Sequence, residues 1–239
     1  MNDVITNNLF EFWSYIGKKN IIYKESSNYK AVYVKGSDWP KRVFAIEDKI
    51  ESYDEIIRLS NQGLLPNIIT LHKYTDLVSR NKIQLQFSQI NMSLDLRNYT
   101  NETFKNENIH QIETKSEAFE FANIASESFG YMVDGTTIYS LCNDSFHSKL
   151  FIYRENKNSY GCGIVFFDNN NVAGFHMIGT IPNGRGKGIG KKITEKLINE
   201  AFINNSKYCV LNASKMGESI YKKLGFATFG ILENYRILK

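Results

Sequence analysis

Between a strand-like segment, Val172 to Ile181, and an amphipathic helix runs Asn183-Gly184-Arg185-Gly186-Lys187-Gly188-Ile189-Gly190, where every second residue is glycine. Glycine lets backbone N–H groups approach an anion without a Cβ in the way, and a helix N-terminus adds unpaired donors and partial positive charge. With Arg185 and Lys187 in the same loop, the layout is that of a phosphate cradle. The ligand it predicts carries phosphates.

Two familiar glycine motifs do not fit. A P-loop needs Ser or Thr after Gly-Lys to hold Mg²⁺, whereas Gly190-Lys191 is followed by Lys192. A Rossmann fingerprint would place its third glycine at residue 189, which is Ile189, and the strand lies late in the chain without a following βαβ unit. What remains is Arg185-x-x-Gly188-x-Gly190, which resembles the pyrophosphate-binding signature of the GNAT superfamily, the acyl-CoA-dependent N-acyltransferases. Further on, Ser214-Lys215-Met216-Gly217-Glu218-Ser219-Ile220-Tyr221-Lys222-Lys223-Leu224-Gly225-Phe226 is similar to the closing motif of that family, a helix ending in Tyr-x-x-Leu-Gly-Phe. Ile178-Gly179-Thr180-Ile181-Pro182 resembles the end of its fourth strand. Serine stands at Ser214 where the family usually has Asn; it can still cap the helix and bond a pantetheine amide. The resemblance covers residues 108–239.

Composition sets the bounds. The chain has 239 residues, 42% of them hydrophobic, and a formal charge of +4, ordinary for a globular protein and too small to argue for nucleic acid. Cys142, Cys162 and Cys209 are odd in number and widely spaced, so neither a disulfide framework nor a metal site is expected, and a reducing cytoplasm fits. Asp3 and Glu11 interrupt any apolar leader, and no apolar run is long enough for a membrane span.

In the C-terminal half the pattern predicts a strand at Ile109 to Glu113, a helix opened by the capping box Thr114-x-x-Glu117, and a short helix from Thr136 to Leu141. Strands follow at Lys149 to Arg154, Tyr160 to Asp168 and Val172 to Ile181, the last two joined by Asn169-Asn170-Asn171. Next come the glycine-loop helix, a strand at Tyr208 to Ala213, a helix at Lys215 to Leu224 and a final strand at Ala227 to Leu238. The N-terminal half reads as a helix at Asn7 to Ile16, strands at Ile21 to Lys24, Tyr29 to Val34 and Arg42 to Ile46, and a helix at Glu51 to Asn61. A strand at Asn67 to Leu71, a short helix at Thr75 to Arg80 and an extended Ile83 to Leu96 complete it. That order repeats the C-terminal one, but Ala45-Ile46-Glu47-Asp48-Lys49 stands where the glycine cradle would be. Two readings stay open: a degenerate GNAT-like half without a cofactor site, or an unrelated α+β domain. The expectation is therefore a mixed α+β protein, with an N-terminal domain over 1–100 and a GNAT-like domain over 108–239. Its central sheet would be mixed, mostly antiparallel and flanked by helices.

For the site, the resemblance implies acetyl-CoA as co-substrate and no metal. Its pyrophosphate would rest on the backbone of Gly186, Lys187, Gly188, Ile189, Gly190 and Lys191 with Arg185 beside it. Ile178, Gly179 and Thr180 would face the acyl group, and Asn212 and Ser214 complete the cofactor-binding set. Tyr221 is the candidate general acid, since a phenol near pKa 10 can protonate a thiolate whose conjugate acid lies near 8.5; the alternative is a packing aromatic. The fourth strand, Asn171 to Thr180, lacks a carboxylate, and His176 is what it offers as base. Strict alternation puts His176 on one face with Ile178 and Thr180; the alternative is a half-buried histidine bonded to a neighbour. His72, His110 and His147 fall in linkers or element ends. The reaction implied is direct attack of a primary amine, small-molecule or peptide, on the thioester. A non-catalytic acyl-CoA-binding regulatory module is the alternative.

Overall fold

The computed structural model describes residues 1–71, 82–97, 99–100, 106–142, 144 and 146–238. His72 and the short helix expected at Thr75 to Arg80 lie outside them. Helix α1 runs Asn2–Lys19 and is followed by strands β1 (Tyr23–Glu25), β2 (Lys30–Tyr33) and β3 (Lys41–Phe44). Helix α2 (Ile50–Asn61), β4 (Ile68–Leu71) and the long β5 (Ile83–Asp95) complete the first half. The second half opens with β6 (Ile109–Gln111), α3 (Lys115–Phe129) and α4 (Gly135–Cys142). A meander follows: β7 (Ser148–Glu155), β8 (Asn158–Phe167) and β9 (Ala173–Thr180). A 3-10 turn at Pro182–Gly184 leads into α5 (Ile189–Ile203), β10 (Tyr208–Ala213), α6 (Glu218–Lys223) and β11 (Ala227–Ile237).

Local chemistry accounts for the boundaries. Thr114 and Glu117 form the expected reciprocal capping box of α3, and Gly130 ends that helix in the left-handed region at φ 75°. Helix α6 is shorter than expected because Ser214 to Gly217 forms a turn of its own. The Ser214 hydroxyl and carbonyl both accept from the Gly217 N–H, at 3.2 and 3.0 Å. Helix α1 begins earlier than its apolar spacing suggests, since its polar residues Asn2, Thr6 and Asn8 are held by partners on the sheet.

All eleven strands join one sheet, in the order β1-β2-β3-β4-β11-β5-β10-β9-β8-β7-β6. Its pairs are antiparallel except β3 with β4 and β10 with β9, each a parallel pair connected through a helix, α2 and α5 respectively. The two halves exchange their last strands. β11 lies against β4 of the first half, and β5 inserts between β11 and β10 of the second.

Alternation along the strands feeds two layers. Leu150 and Ile152 of β7 face a cluster with Phe12, Phe121 and Phe166 under α1, α3 and α4, while Phe151 and Tyr153 face Ile189, Ile193 and Leu197 of α5. A third cluster lies under α2, around Val43, Tyr53, Ile56 and Ile69. Burying each such side chain contributes about 1.5–3 kcal/mol. Among the described residues no helix is long and apolar enough to cross a membrane.

Candidate active site

The glycine loop ends in α5, whose first residue, Ile189, follows Gly188 as N-cap at φ 72°. Gly186 adopts φ 78°, and a Cβ on either glycine would meet nothing within 4 Å. The glycines are therefore required by backbone conformation, not by crowding, and the space above them is open. Among the described residues no protein acceptor takes the N–H of Gly186, Lys187, Gly188, Ile189, Gly190 or Lys191; the first helical bond in α5 is Lys192 N–H to Gly188 O, 3.1 Å. No acidic residue occupies the first turn. A run of unfilled donors at a helix N-terminus without nearby carboxylates is what an anion requires.

Below the loop lies a cavity of about 640 Å³. Its walls include Ile178, Gly179, Thr180, Arg185, Gly186, Gly188, Ile189, Gly190, Lys191, Ser214 and Tyr221. Gly184 closes one end; a Cβ there would stand 3.0 Å from both Thr180 Cγ2 and Tyr160 Cβ. Arg185 does not project freely: its Nε donates to Thr180 O at 3.3 Å and its Nη2 to Ser128 O at 3.2 Å. The guanidinium thus ties the loop to the C-terminal end of α3 and leaves its charge at the cavity edge.

The cavity exists because two strands part. Parallel pairing of β10 with β9 runs from Cys209 opposite Ala173 to Leu211 opposite Phe175 and stops there, while β10 stays paired with β5 as far as Ala213 opposite Ile90. Beyond Phe175 the edge of β9 faces the opening. At that point β9 also carries a bulge. Ile164 of β8 opposes His176 and Cys162 opposes Gly179, so one residue of β8 faces two of β9, and Met177 takes φ 52°.

The bulge corrects the reading of His176. Alternation without it would put His176 beside Ile178 and Thr180; with it, Ile178 packs on the α5 side and Met177 on the α1 side. His176 is buried on the α1 face, 8% exposed, stacked on Phe12 with ring centroids 4.2 Å apart. Its Nε2 lies 3.3 Å from Asn8 Oδ1, and burial pushes its pKa down to about 3. It does not line the cavity. Asn212 and Lys187 also stand outside the wall: Asn212 Nδ2 donates to Asn91 Oδ1 at 2.6 Å, and Lys187 sits over the Tyr160 ring at 5.0 Å.

Tyr221 projects from α6 into the cavity wall, edge-on to Phe226 at 5.9 Å. Gly217 makes room for it, since a Cβ there would lie 3.1 Å from the ring. Burial pushes the Tyr221 hydroxyl up to about 12, so it stays protonated at neutral pH. Residues that sequence reasoning missed complete the wall: Ser128 and Phe129 from the end of α3, and Met216, Gly217, Ile220 and Lys223 around α6. Ser128 Oγ is buried and without a partner, and a Cβ on Gly179 would lie 3.0 Å from it. Only Gly130, marking the end of α3, signalled that this segment stops at the site.

Residues 146–228 match the family model of the acetyltransferase (GNAT) domain. Solved structures share the fold over nearly the whole chain. A GCN5-related N-acetyltransferase from Kribbella flavida superposes with a TM-score of 0.66 at 11% identity, covering 95% of this chain and 96% of that one. A protein of the GNAT family from Novosphingobium aromaticivorans gives 0.64 at 13%, covering 96% and 97%. A GCN5-related N-acetyltransferase from Sphaerobacter thermophilus gives 0.59 at 11%, covering 87% and 76%. No curated protein matches in sequence. Residues 146–228 are thus similar to the acetyltransferase (GNAT) domain, and they lie within a mixed α+β fold that the first two of these structures share over nearly the whole chain.

Proposed function

We propose that the protein is an N-acetyltransferase that moves an acetyl group from acetyl-CoA to a primary amine. The observation that carries this reading is the run of unfilled N–H groups from Gly186 to Lys191 above a cavity that also holds a protonated phenol, Tyr221. Those amides, with Arg185, would hold the pyrophosphate, and Ser214 would meet the pantetheine. The thioester supplies an activated acyl carbon. The freed edge of β9 at Ile178 to Thr180 would donate to its carbonyl oxygen as charge develops there. The amine nitrogen attacks that carbon, the C–N bond forms, the C–S bond breaks, and Tyr221 protonates the departing sulfur. The amine must lose a proton, and among the described lining residues there is no carboxylate or imidazole. Water, not His176, is the base in this reading.

The division at residues 100 to 108 is part of the proposal: 108–239 performs the chemistry, and 1–100 is a degenerate GNAT-like half. Its parallel pair β3 and β4, joined by α2, supports the kinship. Its connecting loop holds Glu47 and Asp48 ahead of an α2 whose first turn carries Glu51, which would repel a pyrophosphate. All three cysteines are free, consistent with a reducing cytoplasm. Release of free thiol from acetyl-CoA across a panel of amines tests the proposal. No release with any amine, together with no effect of CoA on the melting temperature, would refute it.

A further inference from the structure

Across the sheet from the cavity, on the α1 side, side chains of three strands form a polar strip that ends on a backbone carbonyl of a fourth. Thr70 Oγ1 of β4 donates to Asn234 Oδ1 of β11 at 2.7 Å, and Asn234 Nδ2 to Gln89 Oε1 of β5 at 3.4 Å. Gln89 Nε2 then donates to the carbonyl of Asn212 at 3.3 Å, one residue past the point where β9 and β10 part. Arg42 of β3 lies at the outer end of this strip, its guanidinium 5.5 Å from the ring centre of Phe87, two residues before Gln89 on the same face. Tyr131 lies within electrostatic reach of Arg42 and stacks on Phe129, a wall of the cofactor cavity, at 5.6 Å.

Arg42 has more donors than partners. Its one hydrogen bond among the described residues is Nη1 to the Lys41 carbonyl, 3.3 Å, and no described carboxylate lies within ion-pair distance of it. The nearby Asp38 is engaged elsewhere, with Lys41 at 3.9 Å and the Met132 N–H at 3.2 Å. Arg97 and Arg154, by contrast, are each paired with carboxylates. The Arg42 guanidinium is half-buried on an aromatic ring, with donors open to a planar anion that could take two of them. Phe87 is 42% exposed, so the strip can be reached from solution.

We propose that Arg42 binds a carboxylate on the acceptor, and that the substrates are amines carrying a carboxylate, as in free amino acids. This rests on the acyl-transfer reading above. One cation on a flat aromatic ring matches a planar monoanion that takes two parallel N–H bonds; a phosphate dianion would call for more charge. The strip ends at the Asn212 carbonyl beside the parted strands, so an amine held by its carboxylate at Arg42 would extend along it toward the acyl group.

The test uses matched pairs: α-, β- and γ-amino acids and their amides, assayed by thiol release from acetyl-CoA with wild type, Arg42→Gln and Arg42→Lys. The acid of at least one pair should exceed its amide in kcat/KM by about 10- to 100-fold. Arg42→Gln should erase that preference through KM, leaving the amide rate, the KM for acetyl-CoA and the CoA-induced thermal shift unchanged; Arg42→Lys should restore part of it. Equal use of acid and amide by wild type, or an equal loss of both in Arg42→Gln, would overturn the proposal. If no amine is acetylated, titration of the same pairs into CoA-saturated protein by calorimetry decides. Acid binding that Arg42→Gln weakens keeps the carboxylate site while the acyl-transfer reading falls, and no binding of any acid removes the site.

Discussion

The imidazole of His176 lies flat on the ring of Phe12, their planes inclined by 13°, while its Nε2 meets Asn8. Asn8 in turn donates to Asp168 Oδ2 and to the Val172 carbonyl, both at 3.0 Å, so helix α1 is fastened to the turn between β8 and β9 by one buried amide with His176 as a neighbour. This is a packing role, and it has a pH signature.

Because burial holds the folded pKa near 3, the unfolded chain takes up a proton near pH 6.5 that the folded chain refuses. The stability contribution of neutral His176 is thus complete above pH 6.5 and is lost as pH falls toward 3, at about 1.4 kcal/mol per pH unit. His176→Gln removes this titration. Urea unfolding of both proteins should show the stability difference moving in favour of the variant by about 2 kcal/mol between pH 7 and pH 5. Turnover of the variant should stay within about 3-fold of wild type, against the 10²-fold scale of a lost general base. A drop of that size would return His176 to the catalytic set.

Gly188→Asp addresses the anion cradle. The position has φ 72° and open space around its Cβ, so the side chain fits and the fold should lose only about 1–2 kcal/mol. Its carboxylate would stand among the donors meant for pyrophosphate. Wild type should gain about 2.7 kcal/mol of stability at a hundredfold excess of CoA over its dissociation constant, read as a rise in Tm, and the variant should gain none. Gly188→Asn carries the same backbone strain without the charge and should keep part of the shift. A full shift in Gly188→Asp would move the cofactor elsewhere.

Much of this was readable in the chain. Thr114 and Glu117 announced α3, and the loop from Gly184 to Gly190 announced both the turn and the start of α5, because each signal is local and made by residues within one turn of each other. The bulge at Met177 had no such signal. A methionine is not a residue that advertises positive φ; the conformation follows from β8 and β9 staying in register on both sides of the bulge, so alternation carried His176 to the wrong face. Strand exchange was equally silent, since the local pattern of β5 says nothing about whether its neighbours are β10 and β11. Arg42 reads as a plain surface cation on a short strand until the long-range placement of Phe87 and Tyr131 is known.

Tyr221→Phe keeps the ring, its edge contact with Phe226 and the space above Gly217, and removes one proton donor. Stability and CoA affinity should be close to wild type. If the hydroxyl protonates the leaving thiolate, kcat should fall by about 10²-fold or more with the KM values little changed. Solvent-exposed acids cannot easily substitute, because the wall around the phenol is largely apolar. Wild-type turnover in this variant, on an amine that the native protein acetylates, would leave Tyr221 as a packing aromatic.

Gly174 tests the attachment of α1. A Cβ there would stand 2.6 Å from His176 Nε2 and closer still to Asn8 Oδ1, so Gly174→Ala must push Asn8 out of its place. Overpacking of this kind costs about 1–3 kcal/mol, and the displaced amide would also leave Asp168 and the Val172 carbonyl without their shared donor. Asn8→Ala alone loses the same bonds but makes room. The two losses therefore overlap, and the double variant should be less destabilised than the sum of the singles by about 1 kcal/mol or more in urea unfolding. Strict additivity would mean that Asn8 and Gly174 do not compete for the same space, and that α1 is held to the sheet by its apolar contacts alone.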